Sequence, residues 1–274
     1  ILDLGMKSGE SNPGLARDGV ALLKSTLQVP VSIDSMDPAE IFAGLEGGAD
    51  LVLSLNPRLV REVGPRLGRA ERERAFVLVP DLERGRLETG DRVRSLENCV
   101  EVAEEQGMRN LVADPVVDPP PLGLVRSLEA YSLFGRGNPE TPMLMGIGNI
   151  TEMVESDPPG LNALMALVCA ELGVSMLLTT EESFRTRGAV GELKHASKVA
   201  YYASLRGSYA KGLGMTMNFC RDSKSYDEPL GWSREERVAE DTPDLGTPPD
   251  PKGYFKVSVD RSRGLIIAAH FPHR

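Results

Sequence analysis

Short apolar runs recur along this chain at intervals that leave room for one helix between each pair. That rhythm restricts the fold more than any other feature. The runs lie at residues 1–4, 29–33, 51–55, 76–79, 111–113, 143–147 and 175–179. Most are rich in Val, Leu and Ile without strict alternation, the pattern of strands buried on both faces of a parallel sheet. Segments of helical period lie between them, at 15–27, 39–45, 92–106 and 161–172. Asp37-Pro38 announces the second of these, a cap followed by proline at the first helical position. Gly47-Gly48 stops it and Ala49-Asp50 feeds the next strand, a cadence repeated at Glu171-Leu172-Gly173-Val174.

Consecutive βα units with no hairpin signal until late predict a parallel sheet with helices outside. A TIM-like (β/α)8 barrel needs eight units, and seven strand runs are visible. The chain opens on a strand-like run at Ile1 without an initiator methionine, so the expectation is a barrel lacking its first βα unit. The rival, a doubly wound open sheet, calls for a glycine-rich phosphate turn. No GxGxxG or GxxxxGK[ST] occurs. The barrel is expected over 1–210, followed by a connection over 211–253. Within that connection the stretch from Asp222 to Lys252 is rich in Asp, Glu, Pro and Ser. Runs at 254–259 and 265–269 around Asp260-Arg261-Ser262-Arg263-Gly264 predict a β-hairpin. A lone hairpin is not stable, so 254–274 reads as the start of a truncated C-terminal region.

Composition narrows the function. Hydrophobic residues at 41% and charged residues at 26% support a packed core rather than disorder. The net charge of −9 argues against a nucleic-acid partner. No apolar run approaches the ~18 residues that span a bilayer and no signal peptide is visible, so a cytoplasmic protein without membrane contact is expected. Cys99, Cys169 and Cys220 are too dispersed for a disulfide framework and read as reduced thiols. With so few Cys and His no transition-metal site is expected, while Mg2+ held through carboxylates and a substrate phosphate is left open.

In a barrel, chemistry belongs at the C-terminal ends of the strands. Those ends carry Asp3, Asp34, Asn56, Asp81, Asp114 and Asn149, and the last run delivers Thr179-Thr180-Glu181-Glu182. Taken singly, each is as readily a cap or turn residue. Taken together, Asp34, Asn56, Asp114 and Asn149 predict one shared cavity. Carboxylates and amides without histidine suit a donor-rich heterocycle. The 2-aminopyrimidinone edge of a pterin presents an NH2 and a ring N–H in parallel, which a carboxylate accepts as a fork. Hydrogen bonds to a charged partner contribute roughly 1.5–3 kcal/mol each.

Several stretches carry a resemblance. Pro30-Val31-Ser32-Ile33-Asp34-Ser35, Gly48-Ala49-Asp50, Leu53-Ser54-Leu55-Asn56, Val112-Ala113-Asp114-Pro115 and Pro142-Met143-Leu144-Met145-Gly146 resemble the pterin-binding enzymes. That superfamily holds the dihydropteroate synthases and the pterin domains of corrinoid-dependent methyltransferases. Gly146-Ile147-Gly148-Asn149-Ile150-Thr151-Glu152, Asn162-Ala163-Leu164 and Thr180-Glu181-Glu182-Ser183 resemble the dihydropteroate synthase-related proteins of organisms that use tetrahydromethanopterin. The resemblance implies a reduced pterin as substrate or cofactor, a transferase activity in tetrahydromethanopterin or folate-type assembly, and Asp34, Asn56 and Asp114 in the pterin pocket. It implies Asn149 and Asp114 as the catalytic pair.

The departures matter equally. The synthases hold a departing pyrophosphate with a Gly-x-Ser-Arg-Lys turn and an Arg-x-His pair. Here Gly146-Ile147-Gly148-Asn149 and Leu178-Thr179-Thr180 stand instead. Arg185 and Arg187, or Lys194, are the candidate anion-binding replacements, with solvated charges the competing reading. The methyltransferase branch carries an asparagine like Asn149 and implies a corrinoid protein as partner. A non-catalytic pterin carrier is the third reading, and a homodimer stays open as the assembly state.

Overall fold

The structure is a computed structural model that describes residues 1–82, 85, 87–218, 252–260 and 263–272. The stretch from Asp222 through Pro251 lies outside the described residues, as do Cys220 and His273. The chain divides into two compact units, Ile1–Met217 and Asn218–Arg274.

The first unit alternates strands and helices: β1 (Leu2–Gly5), α1 (Pro13–Thr26), β2 (Val31–Asp34), α2 (Pro38–Glu46), β3 (Leu51–Leu55), α3 (Pro57–Val63) and β4 (Ala75–Leu78). It continues with α4 (Thr89–Glu105), β5 (Asn110–Ala113), α5 (Leu124–Gly137), β6 (Leu144–Gly146), the short α6 (Gly148–Thr151), α7 (Pro158–Leu172), β7 (Met176–Leu178) and α8 (Ala189–Arg206). All seven strand runs of the sequence form strands, displaced by a residue or two at their ends. Strands β1 to β5 pair in chain order, every pair parallel, and β6 pairs parallel with β7. A parallel bridge between Ala113 and Met143 joins the two sheets into one arc. Among the described residues β1 and β7 make no ladder with each other.

Alternation along the strands sorts the core into two layers. Val31, Ile33, Val52, Phe76, Leu78 and Ala113 pack outward against the helices. Leu51, Leu53, Val77, Val112 and Leu144 form a second cluster inside the arc. Period two therefore turns Ser32 and Asp34 of β2 inward, where Ser32 Oγ donates to Asp3 Oδ1 at 2.6 Å. Apolar residues on both faces explain why these runs lack alternation in sequence.

Helix α2 starts as the Asp37-Pro38 pair predicts: Asp37 Oδ1 accepts from the Ala39 N–H at 2.8 Å. It lies so close to β2 that a Cβ at Gly44 would stand 2.8 Å from Ile33 Cγ1 and 2.9 Å from Ile33 Cβ. Helix propensity alone favours alanine there by about 1 kcal/mol. Overpacking against a stiff β-branched neighbour costs about 1–3 kcal/mol, so the clash wins. Gly44→Ala is expected to lower the urea midpoint with the slope unchanged; a raised midpoint would show that α2 can shift freely on the sheet.

The second unit holds an antiparallel hairpin of β8 (Tyr254–Asp260) and β9 (Leu265–Phe271), in register from Tyr254 opposite Phe271 to Asp260 opposite Leu265. No described helix is long and apolar enough to cross a membrane.

Candidate functional site

A cavity of about 1360 Å3 runs along the strands between β1 and β7, with α7 and α8 on one side. It extends from Ile1, Leu51 and Ser175 at one end through Asp3, Ser32 and Leu144 to Asp34, Asn149, Thr179 and Thr180 at the C-terminal strand ends. A second cavity, of about 620 Å3, adjoins the loops after β1 and β2 and also reaches Asp34, with Asp37, Glu40 and Ser54. Asp34 and Asn149 thus share a cavity, and Lys194 of α8 lines it as well. Asn56 and Asp114 do not line it.

The reason lies in what each strand end must also accomplish. Asn56 is buried, and its Oδ1 caps α3 by accepting the Leu59 N–H at 2.9 Å. Just before it the β3 register shifts, and Ser54 adopts φ 69°, a left-handed backbone. That turn lets the Ser54 hydroxyl bond to Asp34.

Asp114 sits beyond β5, 9% exposed. Its Oδ1 accepts from the Val116 N–H at 2.7 Å and from the hydroxyl of Tyr131, a fully buried residue of α5. Oδ2 has no hydrogen bond among the described residues. Val116 itself has φ 66°, costly for a β-branched residue. Arg92 of α4, 2% exposed, holds this loop from behind. It donates to the Val116 carbonyl and pairs with Asp118 Oδ2 at 2.6 Å. One residue on, the Val117 carbonyl accepts from Asn149 Nδ2 at 3.3 Å. The 114–118 loop therefore ties Asp114, Arg92 and Asn149 into one assembly.

Burial dominates the electrostatics. It raises Asp114 to about 6, against the lowering pull of the Tyr131 hydroxyl, the Val116 N–H and Arg92. Burial likewise raises Asp3 to about 6, with the Ser32 hydroxyl opposing and the nearby Asp34 adding repulsion. Asp34 is raised by burial and eased by Ser54. Tyr131 is pushed well above the usual phenol range by burial and by Asp114. Asp3 and Asp34, the two of these carboxyls that line the cavity, are thus poorly solvated acceptors for a donor that enters it. Cys99 and Cys169 are buried, and burial pushes both thiols up to about 12.

Of the candidate anion-binding residues, Arg185 pairs with Glu155 at 3.4 Å and donates to the Glu152 carbonyl at 3.3 Å, whereas Arg187 is exposed. Among the described residues no group of three or more His, Cys, Asp or Glu is placed to hold a metal ion. Sequence reasoning missed Arg92 and Tyr131. Arg92 falls on the buried stripe of α4 with Leu96, Cys99 and Ala103, and Tyr131 on that of α5 with Ser127, Ala130 and Phe134. A polar residue on an apolar stripe was the available signal.

No family model matches the chain. An uncharacterized protein of Methanocaldococcus jannaschii is 30% identical over 289 aligned residues, which take in all of this chain and 53% of that protein. The chain thus spans about half the length of this relative. Solved structures extend the comparison. The dihydropteroate synthase of Coxiella burnetii in complex with pteroic acid superposes with a TM-score of 0.57 at 14% identity, covering 74% of this chain and 79% of that one. That of Xanthomonas albilineans in complex with 7,8-dihydropteroate gives 0.54 at 18%, covering 74% and 80%. The enzyme of Thermus thermophilus gives 0.53 at 22%, covering 73% and 81%. The chain has the fold of the dihydropteroate synthases, a TIM barrel architecture, as its resemblance to the pterin-binding superfamily implied.

Proposed function

We propose that this protein binds a reduced pterin at the C-terminal ends of its strands and transfers a group to or from it, in the assembly of a tetrahydromethanopterin or folate-type cofactor. The observation that carries this reading is the placement of Asp34 and Asn149 on one cavity, with Asp114 tied to Asn149 through the next loop. The Coxiella and Xanthomonas proteins of the same fold are solved with pteroic acid and 7,8-dihydropteroate, which supports a pterin as the ligand class. In this reading Asp34 accepts from the donor edge of the base at the cavity wall, and Asp114, which lies outside the walls of both cavities, offers its Oδ2 as the deeper acceptor. Asn149, held by Val117, presents its amide oxygen to the ring.

Methyl transfer from a methyltetrahydropterin to a corrinoid protein is the second reading. It is favoured by the amide, rather than a cation, that follows β6 at Asn149. Calorimetric titration of the chain with a panel of reduced pterins tests the shared claim, and saturable binding is expected. Product formed from a pterin pyrophosphate and an arylamine would select the synthase. Methyl exchange with a corrinoid would select the second reading, and binding with neither reaction a carrier. No binding to any reduced pterin would overturn all three.

A further inference from the structure

Beyond β7 the chain aims a set of donors at a single oxygen. Glu152 Oε1 accepts from Thr186 Oγ1 at 2.5 Å, the Glu182 N–H at 3.1 Å, Thr180 Oγ1 at 3.3 Å and the Ser183 N–H at 3.5 Å. Two hydroxyls and two consecutive main-chain N–H groups around one oxygen are the construction of an anion nest or oxyanion hole. The Thr186 hydroxyl foremost, with Ser183 and the two N–H groups, holds the Glu152 carboxyl near 2, overcoming a burial effect that raises it. The seat is therefore tuned to an anion rather than to a neutral acceptor.

The anion arrives from elsewhere in the chain. Glu152 follows α6 and lies 28 residues before Thr180 in sequence. The guanidinium of Arg185 stands alongside: its Nη2 bonds the Glu152 carbonyl, and its Nε is buried with no hydrogen-bond partner among the described residues. The seat also adjoins the large cavity, because Thr180 belongs to both.

We propose that the 180–186 loop is an oxyanion-binding seat, and that Glu152 occupies it as the chain's own plug. The carboxylate stands where an oxygen of a phosphate or pyrophosphate would stand. The cavity consequently admits a pterin that carries no phosphoryl group at this end and rejects its phosphorylated analogue by charge and by occupancy, which among the three functional readings counts against the pyrophosphate-expelling synthase. The pterin half of this statement rests on the proposed function; the seat itself does not.

The test is calorimetric titration of the chain and of two variants with inorganic pyrophosphate. The unaltered chain is expected to show no saturable binding at millimolar concentrations. Glu152→Ala should bind pyrophosphate at least tenfold more tightly, and Glu152→Gln, whose neutral plug is more easily displaced, should fall between. Equal affinity in all three, or saturable binding by the unaltered chain that matches the alanine variant, overturns the proposal. Should Glu152→Ala fail to fold, the comparison of Glu152→Gln with the unaltered chain decides, and no gain overturns it. Because pyrophosphate needs no pterin, its failure sinks the seat and leaves the pterin reading standing. Failure of every reduced pterin to bind does the reverse.

Discussion

Asp114→Asn is expected to weaken reduced-pterin binding by more than tenfold while leaving the fold in place. Oδ1 of Asp114 already serves the Val116 N–H and the Tyr131 hydroxyl, and an asparagine oxygen serves both equally well. The Val116 N–H is only a donor, so it fixes the amide with its oxygen on that side. Nδ2 then replaces Oδ2, and the one remaining acceptor becomes a donor facing a donor. A lost charge-assisted bond is worth about 1.5–3 kcal/mol, and ten- to hundredfold in affinity follows. The pH profile adds a second readout. With Asp114 raised to about 6 by burial, pterin affinity in the unaltered chain should fall as pH drops through 6, and the variant should show a shallower fall, the remainder coming from Asp3 and Asp34, whose carboxyls burial also raises.

Stability has the opposite sign. The folded state holds the Asp114 proton more tightly than the unfolded chain, whose aspartates titrate near ~3.9. Its contribution to stability is therefore fully present below that value and is lost as pH rises through about 6. Asp3 acts in the same direction. Unchanged affinity in a calorimetric titration of Asp114→Asn would remove Asp114 from the ligand site.

Arg92→Met should have the largest effect on stability. The guanidinium is 2% exposed and its partner Asp118 has an 18% exposed side chain, so removing the cation strands a carboxylate in a poorly solvated place. Breaking such a pair costs about 3–5 kcal/mol, on the order of 10 °C in melting temperature for a unit of this size. Arg92→Lys should not rescue it, because one ammonium replaces a planar fork that reaches both Val116 and Asp118. Replacing Asp118 by leucine in the Arg92→Met background should recover part of the loss, since the stranded charge is then gone. A melting temperature within 2 °C of the unaltered chain, by the ~2–4 °C per kcal/mol scale, would show that the 114–118 loop is held by other contacts.

The strands and the α2 cap were legible because their signals are local. Apolar runs buried on both faces, and Asp37-Pro38 ahead of α2, declare themselves within a few residues. The acidic and amide strand ends were legible as a set, but their individual orientations were not. Whether Asn56 turns its oxygen to a cap or to a cavity depends on the register shift in β3, which no short window encodes. Arg92 and Asp118 are 26 residues apart, and Tyr131 and Asp114 are 17 apart. Pairings at that range are settled by how helices lie on the sheet. Glu152 reads in sequence as one more acidic residue after a glycine-rich turn, and only the loop folded over it reveals what it fills.

Two non-glycine residues hold a left-handed backbone at these strand ends, Ser54 at φ 69° and Val116 at φ 66°. Glycine at either position would relieve the local distortion. At 54 it would also delete the hydroxyl that steadies Asp34, and at 116 it would slacken the span that links Asp114 to Asn149. Selection for thermal robustness and selection for a well-aimed rim therefore pull in opposite directions at these two residues. Heat-tolerant variants that arise at 54 or 116 are expected to be those that grip their small molecule less well.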